Sequence, residues 1–249
     1  MAGYQICGNL PTIQIIIKVD LTLRQFYQKV KKEYTEISEI IEIADSFKTQ
    51  CPICHENDCA YFLGFYYRQV IDEKGKYYPD FPVPRFACKG KGNAQTVNHK
   101  TFPLLHYHLV PYSKYSLPLV SRLLRLRHVD GKTVIGIQKY LDHLSSLDDS
   151  DYHYMLSDSG ILAFKHLFLN AIIKILASGY YPQLSAELTK TSQDTVRIKI
   201  LLDFFPDFMC QKVSPPIRGP CALNYDFYMA GGSYLRNALF LFGTPSQFR

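Results

Sequence analysis

Residues 51–88 read CPICHENDCAYFLGFYYRQVIDEKGKYYPDFPVPRFAC. The opening Cys-Pro-Ile-Cys has the two-residue spacing of a zinc knuckle. YFLGFYYRQVI is rich in aromatic and β-branched residues and predicts a strand. DEKGK predicts a turn. In YYPDFPVPRFAC, Pro79, Pro82 and Pro84 exclude a helix and leave an extended chain. The stretch therefore predicts a β-hairpin with cysteines at both outer ends, the layout of a zinc ribbon.

Structural zinc takes four Cys or His ligands in a tetrahedron. Cys51 and Cys54 supply one pair, and Cys88 returns at the end of the second strand. A standard ribbon would place its fourth cysteine at position 91, where this chain has Lys91. Cys59, five residues after Cys54, is the favoured substitute. His99 and His55 are the alternatives. Four thiolates would make a closed, structural Zn2+ site with no position for a catalytic water. Cys7, Cys210 and Cys221 are dispersed and read as small core residues.

The flanks predict an α+β, mainly helical chain, with the ribbon hairpin inserted between an N-terminal helix and a helix-turn-helix-like region. Four segments follow: 1–49, 50–112, 113–147 and 148–249. PTIQIIIKVD predicts a strand at 11–20. From Leu21, apolar residues at Leu23, Phe26, Tyr27, Val30, Tyr34, Ile37 and Ile41 recur at helical spacing. Residues 91–112 are expected to be irregular, broken by Pro103 and Pro111. A helix is predicted from Ser116, with Pro118 in its first turn, and a second from Thr133 after a Gly-containing turn. Beyond an acidic linker, Ser157 or Asp158 caps a long apolar helix ending at Gly179. One further helix is expected over about 185–205, and an irregular tail after it.

With 249 residues, 47% hydrophobic and 20% charged, the chain has the composition of a globular protein. No signal peptide and no membrane-crossing apolar run are expected, and the segment around Ile161 to Ala177 reads as a buried helix. A cytoplasmic location follows as an expectation, and clustered cysteines there favour a metal over disulfides.

The net charge of +6 is concentrated. Residues 85–132 hold nine Lys or Arg against Asp130 alone, and the other 201 residues sum to −2. Such a block suits a polyanion. The candidate nucleic-acid contacts are Lys89, Lys91, Lys100, Lys114, Arg122, Arg125, Arg127, Lys132, Gln138 and Lys139. Gln138 suits an adenine edge. Tyr112 and Tyr115 suit either stacking on bases or packing. His106 and His108, in HYH, raise a catalytic reading that no neighbouring carboxylate supports. No P-loop, dinucleotide fingerprint, HExxH or GxSxG occurs.

Arg85, Phe86 and Cys88, then Lys100, Thr101, Phe102, Leu104 and Leu105, then Pro111, Tyr112, Tyr115 and Ser116 fall in one order. With CPIC, this run over about residues 50–145 resembles the N-terminal zinc-ribbon and helix-turn-helix region of bacterial insertion-sequence transposases, and an uncharacterised bacterial family of stand-alone relatives. The resemblance implies DNA binding. It departs from the pattern at Lys91. The chain also lacks room for the usual catalytic domain: residues 150–249 are few, and their acids are scattered or gathered in one loop. Transposase activity is therefore not carried over. A metal-dependent nuclease, or a protein-interaction module with a zinc-stapled fold, are the alternatives. The C-terminal region offers a surface for a homodimer or a protein partner.

Overall fold

The computed structural model describes residues 15–17, 19–33, 40, 51, 54, 56–89, 101–110, 113–146, 157–179, 181–205, 209–210, 217–218 and 221. The protein is α+β. Its described elements are β1 (Ile15–Ile17), α1 (Leu23–Glu33), β2 (Ala60–Ile71), β3 (Tyr77–Cys88), β4 (Thr101–His106), α2 (Leu117–His128), α3 (Val134–Ser146), α4 (Asp158–Ser178), α5 (Pro182–Thr189), α6 (Asp194–Phe204), β5 (Met209–Cys210) and β6 (Ile217–Arg218).

The first four strands form one sheet in the order β1-β4-β3-β2. The β2–β3 hairpin forms where the sequence predicts it, antiparallel from Ala60↔Cys88 to Ile71↔Tyr77. Its register shifts between Phe62 and Gly64, where Gly64 takes φ +125°. That backbone is open to glycine and strained for other residues. At the turn, Asp72 is buried, and its carboxylate accepts from the Lys74 and Lys76 backbone amides and from the Tyr78 hydroxyl.

The hairpin is not a free-standing insertion. Leu23, Phe26 and Val30 on the apolar side of α1 share one core with Phe81, Val83, Phe86, Phe102 and Leu104 of the sheet. Phe26 stacks on Phe81 with ring centroids 5.9 Å apart. Tyr27 donates to Asp80 at 2.8 Å. At the helix start, the Gln25 amide donates to Thr22 Oγ1 and the Thr22 amide donates to Gln25 Oε1. This reciprocal capping box explains why α1 begins there.

The expectation of an irregular 91–112 segment needs correction. Residues 101–106 form β4, with Pro103 inside it. The proline is tolerated because it sits at a changeover: β4 pairs antiparallel with β3 through Thr101, Phe102 and Pro103, then parallel with β1 through Leu104, Leu105 and His106. Pro111 lies outside the described residues.

Helices α2 to α6 build a second core around Leu123, Leu124, Phe168, Ile172, Ile198 and Leu201. The two cores meet at the end of β2. Ile71 accepts from the Ser116 amide and donates to the Lys114 carbonyl, and Arg68 donates to the carbonyls of Val110 and Ser113. Ser157, one of the two caps the sequence offers, caps α4 by accepting from the Gly160 amide, and Gly179 ends it at φ +63° as the sequence predicts.

Two further expectations change. The single helix over 185–205 is two helices, because residues 190–193 turn between them. Arg197 donates to the carbonyls of Leu188 and Thr191, holding that turn closed. By length and composition alone α4 is long and apolar enough to cross a membrane, where the sequence predicts no such segment and a buried helix instead. Ile161, Phe164, Phe168, Ile172 and Ile175 on its inner side are buried in the helical core. On its outer side Leu162 and Ile173 stand 50% and 63% exposed.

Candidate metal centre

The backbone assembles the cysteines in three steps. The Cys51 amide donates to the Glu56 carbonyl at 3.0 Å, closing the first turn. Asp58 then takes a positive φ of 54°, a conformation Asp tolerates better than most residues. This turns Cys59 back toward the pair. Finally, the Ala60↔Cys88 register and the Lys89 amide's bond to the Cys59 carbonyl at 2.8 Å set the end of β3 beside Cys59.

All four sulfur atoms of Cys51, Cys54, Cys59 and Cys88 lie within 4.8 Å of one another. Cys54 Sγ is 2.9 Å from Cys59 Sγ and 3.4 Å from Cys88 Sγ, and Cys59 Sγ is 3.7 Å from Cys88 Sγ. A tetrahedral zinc with Zn–S bonds of about 2.3 Å has S···S edges of about 3.8 Å. The edges among Cys54, Cys59 and Cys88 are all shorter than this, the Cys54–Cys59 edge by about 0.9 Å, and no edge of the cluster exceeds 4.8 Å. No pair is joined as a disulfide. Cys51, Cys59 and Cys88 are buried and Cys54 is half-buried. The four cysteines are positioned to bind a metal ion, three from the knuckle and one from β3. His55 and His99 lie outside the described residues.

Packing four thiols together sets them against one another. Burial pushes the Cys54 thiol up, but hydrogen bonds from Cys59, the Glu56 backbone, Cys88 and Cys51 outweigh it and bring it down to about 7. Cys59 moves the other way, raised first by burial and then by Cys54, Cys51 and Cys88. Deprotonation is thus favoured at Cys54 and opposed at Cys59. A divalent ion at its centre removes that conflict and makes deprotonation favourable.

The proposed nucleic-acid contacts divide into two sets. Some are engaged within the molecule. Arg125 turns inward, its Nη2 donating to the Leu202 carbonyl at 2.9 Å and to Asp203 Oδ1 at 3.2 Å. Lys114 is half-buried with its ammonium 5.2 Å from the Tyr115 ring centroid. Gln138 donates to Asp142 at 2.7 Å. Others stand exposed: Lys89, Arg122, Arg127, Lys132 and Lys139. Arg122 lies over the Tyr140 ring at 5.8 Å and Lys89 over Tyr61 at 5.5 Å. Arg127 donates to the Lys132 carbonyl, bracing the turn between α2 and α3. Gly131 in that turn takes φ +66°. Lys91, Lys100 and Tyr112 lie outside the described residues. Tyr115 packs edge-on to Phe164 at 5.1 Å, the packing role of the two considered for it.

The HYH histidines sit inside the fold, His106 buried and His108 half-buried beside Glu73, a carboxylate the local sequence does not show. His106 is fully buried against Phe26. Its Nδ1 accepts from the His108 amide, so Nε2 carries the hydrogen and donates to the Leu21 carbonyl at 2.8 Å. Burial, with His108 nearby, holds its pKa down to about 3. Burial also lowers His108, to about 4. His108 Nδ1 lies 3.9 Å from Glu73 Oε2. Among the described residues, the four cysteines are the one group of three or more side chains arranged to hold a metal. Sequence reasoning missed the Arg68 clamp and the Thr22–Gln25 box. The second was visible as a Thr-x-x-Gln pattern before an apolar periodic run.

Set against known proteins, the chain matches no family model, no curated protein and no solved structure.

Proposed function

We propose that this chain binds nucleic acid, with double-stranded DNA as its first partner, and that its four cysteines hold one structural zinc ion. The observation that carries the reading is the convergence of four sulfur atoms within 4.8 Å from two sequence-distant segments. An all-thiolate, largely buried donor set suits zinc among the common divalent ions. With four protein ligands it leaves no coordination position for a reacting water, so the metal's role is to hold the knuckle against β3.

The nucleic-acid part draws support from where the exposed cations lie. Lys89 directly follows the ligand Cys88, and Arg122, Arg127, Lys132 and Lys139 decorate α2, α3 and the turn between them. The resemblance to the DNA-binding region of transposases points the same way. Thr133, just before α3, and Gln138 and Lys139 within it are the candidates for base contact. A second reading, a protein-interaction module whose zinc only staples the fold, has one observation in its favour: the exposed Leu162 and Ile173 on the outer side of α4.

Metal analysis combined with fluorescence anisotropy on a duplex oligonucleotide separates the two. The first reading expects one zinc per chain. Five phosphate contacts give a log–log salt slope of about −4.5, so affinity drops roughly 500-fold between 50 and 200 mM salt. Absence of zinc, or affinity indifferent to salt, would sink it. Zinc retained without nucleic-acid binding is the signature of the interaction module.

A further inference from the structure

The four sulfur atoms are not equivalent. Cys51 and Cys59 are 0% exposed and Cys88 is 6% exposed, so the half-buried Cys54 is the residue of the cluster most open to solvent. Among Cys54, Cys59 and Cys88, the shortest separation is Cys54 Sγ to Cys59 Sγ at 2.9 Å, against 3.4 Å from Cys54 to Cys88 and 3.7 Å from Cys59 to Cys88. The two residues belong to one short turn, so joining them requires no rearrangement of the hairpin. The most solvent-open cysteine thus has a second sulfur in contact with it, the arrangement of a thiol-based oxidation site.

We propose that Cys54 is a peroxide-sensitive site whose oxidation links it to Cys59 and expels the metal. The inference rests on the zinc reading above. In the first step the Cys54 thiolate attacks a peroxide oxygen, forming an S–O bond, breaking the O–O bond and releasing hydroxide. In the second the Cys59 thiolate attacks the Cys54 sulfur, forming the disulfide and releasing the second hydroxide. The cysteines lose two electrons, hydrogen peroxide gains them, and two protons from solvent complete two waters. The metal keeps only Cys51 and Cys88 and dissociates. The knuckle then loses its metal link to β3, and the Lys89–Cys59 backbone bond remains as a direct tie between them. Oxidation so loosens the end of the hairpin from which Lys89 projects.

The test is to expose the zinc-loaded full chain to hydrogen peroxide. Released zinc is followed with a chromophoric chelator, and disulfides are mapped by mass spectrometry after alkylation. One zinc released per chain, a Cys54–Cys59 link, and recovery of zinc binding after thiol reduction are expected. Cys54→His keeps a four-ligand site and should slow release at least tenfold. If that variant fails to load zinc, the wild-type disulfide map decides. Zinc released with a different pair linked overturns the inference. So does zinc retained at a dose that fully oxidises free cysteine, and that result leaves the zinc reading intact. A chain that never holds zinc overturns both.

Discussion

Arg122 and Arg125 show how far residue type alone carries a functional reading. They lie three apart on one helix and invite the same role. Arg122 stays exposed over Tyr140, whereas Arg125 reaches α6 and joins the Leu202 carbonyl to Asp203. Sequence spacing could not separate them, because the difference lies in a helix some 77 residues further on. Arg125→Ala should therefore cost about 1 kcal/mol of stability in urea unfolding, the worth of a lost hydrogen bond to a charged group at a partly exposed site. On the proposed nucleic-acid reading, it should leave the salt slope of duplex binding unchanged. Lys139→Ala should do the reverse. Its stability should stay within about 0.5 kcal/mol of the parent, while the salt slope becomes shallower by about 1. Identical effects of the two substitutions on binding would contradict the assignment.

Among the elements, the β2–β3 hairpin was the most legible, because aromatic residues, a Gly-containing turn and three prolines all favour extended chain. The caps of α4 were equally plain, since Ser157 and Gly179 act through local backbone chemistry. What escaped was set by tertiary contact. Pro103 reads as a breaker until β4 is seen to change partners at that residue. The break at 190–193 is closed by Arg197, a residue from the following helix. The hairpin turn is a further case. Gly75 takes φ +82°, and a Cβ added there would stand 2.7 Å from Leu144 Cβ on α3. Leu144 Cβ is fixed to its backbone and cannot swing aside. Gly75→Ala should destabilise the protein by roughly 1–3 kcal/mol through backbone strain and overpacking together. Thermal unfolding checks this, and an unchanged midpoint would mean that the turn does not press on α3.

At the scale of the whole molecule, the sequence indicated an α+β chain but not that the hairpin shares its core with α1. The reason is β1, three residues whose partner lies far along the chain. His106 stands at that junction, on the last residue of β4 and bonded to Leu21 just before α1. Its folded pKa of about 3, and that of about 4 for His108, lie below the ordinary histidine value of 6.5. The stability these neutral rings confer is fully present above pH 6.5 and is lost as pH falls toward 4 and then 3. Between pH 6.5 and 5, each should account for roughly 2 kcal/mol of lost stability. His106→Gln, compared with the parent at the same metal loading, should show a decline between pH 7 and 5 that is smaller by about that amount. Parallel declines in the two proteins would refute this.

The parallel pairing of Ile15–Ile17 with Leu104–His106 also orders events in time. On a growing chain, the first strand of the sheet has no partner until the segment through His106 has emerged. The cysteines are complete earlier, at residue 88. Loop closure is also cheaper for them: 37 residues separate Cys51 from Cys88, against 89 between the paired Ile15 and Leu104. The difference is about 0.8 kcal/mol. Thiolate capture of an ion can thus fix the hairpin while the N-terminal segment is still searching. Among the described strands of this sheet, the last to find its partner is then the one that precedes the others in sequence.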